Sequence, residues 1–248
     1  MKRVGLLCAL ALCGLASASA LDESLCPFVQ AGSGQAYGDL FNSRGDLYSE
    51  LGAKSFSDAG SSSPYFPILL GGIGLDYARF NGASWWTRGN KALVYGVELG
   101  VWGGAIKGTD ADGEDFASMR VRSLVLSFHA DERFRFPIGS SSFASLSFGP
   151  LLGINCHYYV QDYLNGIYSL SSLTPSSADF FFLGFGLGCD YGFKLGRGNM
   201  LLGLRGDLGL THLSSSDGAL GESIALPWRA LGRVSYEFPL GKWKGASK

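Results

Sequence analysis

The stretch FFFLGFGLGCDYGFKL, residues 180–195, places a large apolar side chain at every second position and mostly glycine between them. A helix would distribute these groups around its axis, whereas a β-strand gathers them on one face, because successive side chains point to opposite sides. The other face carries glycines, Asp190 and Lys194, and is too small and polar to form the core of a sandwich. The apolar face of this strand therefore needs a cover other than water.

Six more segments repeat this pattern of large apolar side chains opposite small or polar ones. They are residues 66–80, 91–104, 117–136, 142–158, 199–212 and 223–239. The alternation places Tyr158 and Ile224 on the apolar faces of their segments. Repeated two-faced segments of about ten residues or more are typical of a transmembrane β-barrel. In such a barrel lipid covers the apolar faces, and glycine suits a lumen too narrow for large side chains.

A secreted antiparallel sandwich or a soluble lipocalin-like barrel is the alternative fold. In either of these the apolar side faces inward, and the outer face is rich in Lys, Glu and Thr. Here the faces opposite the apolar ones are rich in glycine. The sequence therefore favours an all-β fold, a single antiparallel up-and-down transmembrane β-barrel.

The lengths of the connections predict the topology. Links 137–141 and 196–199 are short, whereas links 105–116, 159–178 and 213–222 are long. Outer-membrane barrels have short periplasmic turns and longer external loops, so residues 66–80 run toward the periplasm and an upward strand must precede them. Counting that strand gives about eight, the smallest even number found in single-chain bacterial barrels.

The first strand has the weakest pattern. We predict it at residues 46–57, where Leu47, Leu51 and Ala53 alternate with other side chains. The alternative for this region is a short helix that begins near Tyr37, Leu40 and Phe41.

The N-terminus has the features of an export signal. Lys2 and Arg3 precede the apolar run 4–15, and Ala18-Ser19-Ala20 resembles the small-residue site that signal peptidase cleaves. We predict cleavage after Ala20 and localisation in the bacterial outer membrane. The alternative is a lipoprotein anchored at Cys13, but Leu12 occupies a position that usually holds a small residue. The predicted division is a signal peptide (1–20), an N-terminal periplasmic segment (21–45), the outer-membrane barrel (46–240) and a basic C-terminal tail (241–248).

Charge and cysteine content exclude several classes of function. A formal net charge of −1, without a basic stripe that contains aromatic residues, argues against nucleic-acid binding. Cleavage would leave three cysteines, Cys26, Cys156 and Cys189, an odd number that does not suit a disulfide framework. We interpret them as small apolar residues, since Cys156 and Cys189 fall on apolar faces. No cluster has metal-ligand spacing, and we expect no cofactor.

The chain resembles the small eight-stranded outer-membrane barrels typified by OmpX, OmpW and the OmpA membrane domain. The resemblance is carried by the strand pattern from about residue 46 onward and by GRVSYEF at 232–238, which resembles a C-terminal insertion signal but continues into PLGKWKGASK. It implies outer-membrane lipid and the barrel-insertion machinery as partners, and surface-exposed loops. The roles it implies are passage of small hydrophobic molecules, adhesion to a host surface, and structural support.

One motif suggests an enzyme. THLSSSDGALGES places His212, Ser214 and Glu222 near the outer end of a hairpin, and this resembles the lipid A deacylase PagL, another small barrel. The resemblance implies a serine nucleophile, an imidazole base and an orienting carboxylate. Ser215 replaces the usual Asn, however, and Glu222 follows sooner than in that family. The alternative is a histidine at the lipid–water interface above a serine-rich loop.

The inward polar residues predict a cluster in the lumen. If the turn at 196–199 closes symmetrically, residues whose numbers sum to 395 lie opposite each other, which pairs Asp190 with Arg205. Arg229 then falls beside Arg205 and diagonal to Asp207, and Glu98 reaches the same level. A barrel of eight strands has only enough interior for side chains. We therefore expect a closed barrel, with any apolar-ligand pocket above this cluster.

Overall fold

The structure is a computed structural model that describes residues 23–52, 65–83, 90–109, 115–138, 141–214, 216–218 and 220–240. These residues form ten strands and one helix. The strands are β1 (Glu23–Tyr37), β2 (Tyr65–Phe66), β3 (Ile68–Ala83), β4 (Asn90–Thr109), β5 (Asp115–Pro137), β6 (Ser142–Leu164), β7 (Ile167–Leu173), β8 (Phe181–Leu195), β9 (Gly198–Gly209) and β10 (Ala225–Pro239), and the helix is α1 (Asp39–Glu50). The predicted signal peptide and the predicted basic tail, 241–248, lie outside the described residues.

Eight of the strands form a closed ring. They are hydrogen-bonded in the order β1, β3, β4, β5, β6, β8, β9 and β10, and β10 pairs with β1 to close the wall. Every one of these pairings is antiparallel. The predicted up-and-down barrel of eight strands is therefore confirmed. The other two strands are additions to the wall, with β2 paired to β4 and β7 paired to the end of β6.

The outer wall carries the apolar faces that the alternation predicts. On β8, Phe181, Leu183, Phe185 and Leu187 are exposed by 42–58%. Other exposed apolar residues around the wall are Leu69, Ile73, Tyr95, Leu99, Leu146, Phe148, Leu202, Leu204, Val234 and Phe238. A continuous belt of this kind is not stable against water and matches the hydrocarbon core of a membrane. Among the described residues, no helix is long and apolar enough to cross a membrane.

A β-bulge reverses part of the predicted facing on β6. The register between β5 and β6 shifts between Leu124 and Val125, and Cys156 is the extra residue on β6. Because a bulge adds one residue, side chains beyond it change faces, and Tyr158 is fully buried in the lumen rather than exposed to lipid. The predicted outward facing of Ile224 is also wrong. It precedes β10 and packs in the apolar interior.

The prediction of the first strand is wrong. Residues 46–50 of the predicted strand belong to helix α1, and residues 53–57 lie outside the described residues. The wall begins with β1, inside the segment 21–45 that the sequence assigns to the periplasm. The barrel therefore starts at Glu23 in the structure. The outward residues of β1 include Ala31 and Ser33, which are too small to show an apolar alternation. The alternative of a short helix near Leu40 agrees with the structure.

The two ends of the barrel differ. At one end, which we call the turn end, lie the start of β1 and the short connections β5–β6 and β8–β9. The other end, which we call the plugged end, holds α1, the end of β4 with the start of β5, and the connections β6–β8 and β9–β10. The predicted loop 159–178 is largely a hairpin in the structure, because β6 continues to Leu164 and turns back as β7.

Candidate functional site: a lumen filled in two halves

The half of the lumen nearest the plugged end is apolar, and we call it the apolar chamber. Helix α1 lies in it and buries Leu40, Phe41 and Tyr48. The wall residues of this core are apolar or aromatic and buried: Trp102, Ile106, Met119, Val121, Val125, Leu151, Tyr158 and Phe182. The rings of Trp102 and Phe182 meet edge to face, with centroids 5.0 Å apart. A packed core thus occupies the region where the sequence places any apolar-ligand pocket.

Several hydrogen bonds, two of them between side chains, join the start of α1 to the β9–β10 connection. The Ser43 hydroxyl donates to the Glu222 carboxylate over 2.6 Å. The Ser223 hydroxyl donates to the Asp39 carboxylate over 2.8 Å. Both contacts are exposed to solvent, where such bonds contribute little net free energy. The apolar face of α1 therefore supplies most of the docking free energy.

The end of α1 is fastened to β6. The Tyr48 hydroxyl donates a hydrogen bond to Asp162, and Arg44 lies 3.7 Å from the same carboxylate. Burial, followed by the hydrogen bond to a carboxylate, raises the pKa of Tyr48 above its ordinary value. The phenol therefore stays protonated while the helix is docked.

The other half of the lumen is charged, and we call it the charge network. Its first member is Arg229 on β10, which binds both carboxylate oxygens of Glu98 on β4 at 2.7 and 2.6 Å. Its Nε donates to Asp207 over 2.9 Å. The Arg229 guanidinium also lies over the Trp102 ring, 4.3 Å from the centroid. Trp102 is thus the boundary between the two halves.

Arg205 on β9 extends the network across the lumen. Its Nε donates to Asp207 over 2.8 Å, and its Nη1 donates to Asp131 on β5 over 2.7 Å. Asp207 therefore lies between Arg205 and Arg229. These side chains are at most 3% exposed, and charge-assisted bonds of this length are strong where water is excluded.

A second group continues the network to the turn end. Asp76 on β3 is contacted by His129 at 3.1 Å, by Arg133 at 3.3 Å and by Arg233 at 2.5 Å. Beyond it, Glu237 accepts hydrogen bonds from Arg135, Ser24 and Asn199. Charged side chains therefore fill the lumen from Trp102 to the turn end.

The structure brings four of the five residues of the predicted lumen cluster together. Glu98, Arg205, Asp207 and Arg229 are joined directly by ion pairs. The predicted pairing of Asp190 with Arg205 is wrong. The tight turn at 196–197 places Asp190 opposite Gly203, two positions from the predicted register, and its carboxylate accepts a hydrogen bond from Ser145.

Sequence reasoning did not include the partners on β3 and β5 in this cluster. Asp76, His129, Asp131 and Arg133 all lie on inward faces. The inward alternation of Asp76, His129 and Arg133 was visible in the sequence, but contacts across the lumen depend on how the barrel closes. Asp131 pairs with Arg205 from three strands away in the ring.

The inward glycines make room for long side chains of neighbouring strands. A Cβ on Gly186 would lie 2.3 Å from Nη2 of Arg205, and one on Gly96 would lie 2.1 Å from Cε1 of His129. Gly100 lies in the same way beneath the carboxylate of Glu98. Since the lumen is narrow, glycine on one strand is what allows an arginine, histidine or glutamate on the next.

The three residues of the deacylase alternative are not assembled into a triad. His212 is exposed, whereas Ser214 is fully buried, 3.4 Å from the carboxylate of Asp179. The carboxylate of Glu222 accepts a hydrogen bond from the hydroxyl of Ser43 on α1. In this arrangement an exposed imidazole lies on the surface and the hydroxyl that it would activate is inside, so the geometry does not support acyl transfer.

The contents of the lumen bear on two functions, conduction of water or ions and binding of a metal ion. Its apolar chamber and charge network leave the interior filled with side chains, which disfavours an open water channel. In the described part of the chain, no three His, Cys, Asp or Glu side chains are grouped so that they could hold a metal ion.

Comparison of the sequence with models of known families gives no match, and comparison with curated proteins gives none either. The structure is similar to Neisserial surface protein A (NspA), at 9% identity and a TM-score of 0.43, over 87% of this chain and 96% of that one. It is also similar to OprG from Pseudomonas aeruginosa, at 10% identity and 0.38, over 88% and 96% of the two chains. A third is Ail from Yersinia pestis, solved with the heparin analogue sucrose octasulfate, at 13% identity and 0.36, over 88% and 99%. OprG is described as an outer membrane protein.

Proposed function

We propose that this chain is an integral protein of the bacterial outer membrane, in which a closed barrel carries surface-exposed loops with an adhesive or structural role. The filled lumen carries the proposal: α1 occupies the apolar chamber, and ion pairs such as Arg229–Glu98 span the rest. The exposed apolar belt supports insertion into a membrane. Cleavage after Ala20 and insertion by the barrel-assembly machinery are part of the same proposal.

Conductance tests the closed lumen. Protein refolded in detergent and reconstituted into a planar bilayer is expected to show no steady porin-like current. A large, stable conductance would contradict the proposal, because it would require water through both halves of the lumen.

Surface labelling tests which end is external. A short tag inserted at Gly166, in the β6–β7 turn of the plugged end, is expected to be labelled on intact cells. The matched control is the same tag at Gly196, in the β8–β9 turn of the turn end, which is expected to be labelled only after the outer membrane is opened. The reverse pattern would overturn the orientation.

Passage of small hydrophobic molecules is the second candidate. It is favoured by the apolar chamber, which α1 fills, and it requires α1 to leave the mouth. A disulfide between Asp39→Cys and Ser223→Cys would hold α1 in place, because in the native pair the Ser223 hydroxyl accepts a hydrogen bond from the backbone N–H of Asp39 and donates one to its carboxylate. Uptake of an apolar solute that is lost on oxidation and restored on reduction would favour passage. Uptake no greater than in cells that lack the protein, with or without the lock, would favour the closed barrel with a surface function.

A further inference from the structure

A serine and a histidine are hydrogen-bonded on the outer face of the β6–β7 hairpin. The Oγ atom of Ser172 on β7 lies 2.5 Å from the Nε2 atom of His157 on β6, and the contact is exposed. Ser172 lies directly opposite Tyr159, so its side chain is on the same face as those of Tyr159 and His157. A serine hydroxyl within hydrogen-bond reach of an imidazole is the arrangement of an activated nucleophile and its general base.

Neighbouring groups hold this pair in place. The ring of Tyr159 meets the ring of His157 edge to face, with centroids 4.7 Å apart and an angle of 66° between the planes. The register between β6 and β7 is unbroken from Tyr158–Leu173 to Leu164–Ile167, which fixes Ser172 along the strand. Orientation of the base by a third group is a further feature of activated serines.

The backbone of Ser172 offers a hydrogen-bond donor for the charge that develops on a substrate. The hairpin turn at 165–166 has two residues with positive φ, so the flanking Leu164 and Ile167 exchange both backbone hydrogen bonds and the pattern then alternates. Tyr159 and Ser172 are consequently a pair without mutual backbone bonds, and the N–H of Ser172 points away from β6. The N–H of the nucleophile itself is one of the donors that bind the oxyanion in serine hydrolases.

The pair lies at the depth where lipid esters occur. Toward the turn end, the outward residues of β6 are apolar, with Phe148 and Leu152 exposed by 36–40%. Toward the tip of the hairpin they are Tyr159, Gln161 and Tyr163. A change from apolar to aromatic and polar side chains is typical of the boundary between hydrocarbon and headgroups. Ester bonds lie at this boundary, because they join the acyl chains of a lipid to its headgroup.

Arg122 adds a positive charge beside the pair. It lies directly opposite Tyr159 on the neighbouring strand β5. Arg122, Tyr159 and Ser172 therefore form one row across three strands. Since neighbouring strands are about 4.8 Å apart, the Cα atoms of Arg122 and Ser172 are separated by about 10 Å. An arginine at this distance can bind the phosphate of a lipid whose acyl ester reaches Ser172.

We propose that Ser172 and His157 are the catalytic residues of an esterase site that hydrolyses an acyl ester of an anionic membrane lipid. The site is distinct from the motif around His212, whose serine is buried. The proposed activity goes beyond the surface role described above, but it relies on the proposed location in the outer membrane.

The reaction has two halves, acylation and hydrolysis. In acylation, the Oγ atom of Ser172 attacks the ester carbonyl carbon while Nε2 of His157 takes the hydroxyl proton. The carbon–oxygen bond of the ester then breaks, and His157 returns the proton to the oxygen of the leaving lipid alcohol. In hydrolysis, His157 takes a proton from a water molecule whose oxygen attacks the acyl-serine, and then returns it to Ser172 as the fatty acid leaves. The net reaction consumes one water molecule for each ester.

Hydrolysis by the full-length protein refolded in detergent tests the site. The probe is phosphatidylglycerol in mixed micelles, and the released fatty acid is measured by mass spectrometry. Wild type is expected to release it, whereas Ser172→Ala and His157→Gln are each expected to lower the rate about 100-fold or more. Ser171→Ala is the matched control, because Ser171 is on the opposite face of the same strand, and its rate is expected to stay within about twofold of wild type.

A fluorophosphonate probe tests the nucleophile directly. The Oγ atom of Ser172 displaces fluoride from phosphorus while its proton passes to His157, which leaves a stable adduct on the peptide that contains Ser172. Labelling is expected for wild type and Ser171→Ala, much slower labelling for His157→Gln, and none for Ser172→Ala. A hydrogen bond with a purely structural role would not give this reaction.

The role of Arg122 in selecting an anionic lipid is tested separately. Arg122→Gln is expected to raise the KM for phosphatidylglycerol about tenfold, because a bond to a charged phosphate is lost. Hydrolysis of the uncharged ester p-nitrophenyl butyrate is expected to be unchanged. An equal loss for both esters would contradict recognition of the phosphate by Arg122.

Two results would overturn the esterase proposal. They are the absence of both hydrolysis and labelling in wild type that shows the gel mobility of a folded barrel before boiling, and equal hydrolysis by wild type and Ser172→Ala. Surface labelling at Gly166 tests the membrane location independently. A labelled surface tag without ester hydrolysis means that the esterase alone fails. Hydrolysis in micelles without a labelled surface tag supports the esterase and overturns the proposed orientation.

Discussion

The two halves of the lumen share one wall but are filled in different ways. The apolar chamber is filled by a separate element, α1, whose side chains pack against the wall. In the charge network the wall's own side chains cross the lumen: Arg229 of β10 binds Glu98 of β4, and Arg205 of β9 binds Asp131 of β5. Each of these pairs joins strands three positions apart in the ring. A helix can undock locally, whereas a tie across the barrel is lost only with the wall.

The largest loss of barrel stability is expected for Arg229→Ala, in the charge network. The substitution leaves Glu98 and Asp207 as buried carboxylates without their main partner, at a cost of about 3–5 kcal/mol of unfolding free energy. Urea unfolding in detergent, followed by far-UV circular dichroism, measures this. Arg197→Ala in the exposed β8–β9 turn is the control, with a change within about 0.5 kcal/mol. Similar midpoints for the two variants would show that the network does not stabilise the wall.

In the apolar chamber, Phe41→Ala is expected to affect the helix more than the wall. Removing a fully buried ring costs about 3 kcal/mol of packing free energy, but this loss falls on the docking of α1. Limited proteolysis should therefore cut between β1 and β3 much faster, while the unfolding midpoint of the barrel changes little. Leu47→Ala, on the exposed face of α1, is the control. A large drop in the midpoint with Phe41→Ala would mean that both halves stabilise the wall alike.

Glycine substitutions test the space beneath the charge network. Gly96→Ala puts a methyl group against the His129 ring and the Asp76 carboxylate, and overpacking of this kind costs about 1–3 kcal/mol. Gly232→Ala faces lipid, with its nearest neighbour 3.6 Å away, and is expected to be neutral. The same urea titration compares the two variants. Equal stability would mean that the lumen has spare room.

The smallest effect is expected at the polar anchor of α1. The pKa of Tyr48 is raised in the docked state, so its contribution is complete below the ordinary tyrosine pKa of about 10 and is lost as the pH rises above that value. Proteolysis between β1 and β3 should accelerate in that alkaline range. Tyr48→Phe is expected to lose about 1 kcal/mol of docking free energy and the corresponding part of the pH dependence. An identical alkaline response in both proteins would contradict this role.

The wall was predictable because alternation is a local property. Leu183, Leu187 and Leu204 face lipid as the sequence indicates, since each is set by its immediate neighbours. Strand β1 was not predictable in this way, because Ala31 and Ser33 give no apolar signal. The place of β1 in the wall follows only from its pairing with β3 and β10.

The lumen was predictable in composition but not in its pairs. Arg205 and Asp207 lie inward as alternation requires. Their partners depend on turn length and on barrel closure, so a shift of two residues at the 196–197 turn separates Asp190 from Arg205. Contacts such as Arg205–Asp131 join strands far apart in sequence, and no local pattern encodes them.

The seam between β1 and β10 has a consequence for the order of assembly. It joins residues such as Val29 and Val234 across most of the chain, whereas consecutive strands of the wall are joined by far shorter connections. Because the entropic cost of closing a loop grows with its length, we expect this seam to form last. Helix α1 follows β1 through Gly38, so it reaches the mouth only as the closing strand docks. Closure of the wall and filling of the lumen by α1 then occur in one kinetic step. A complete barrel with an open lumen therefore does not form in the membrane.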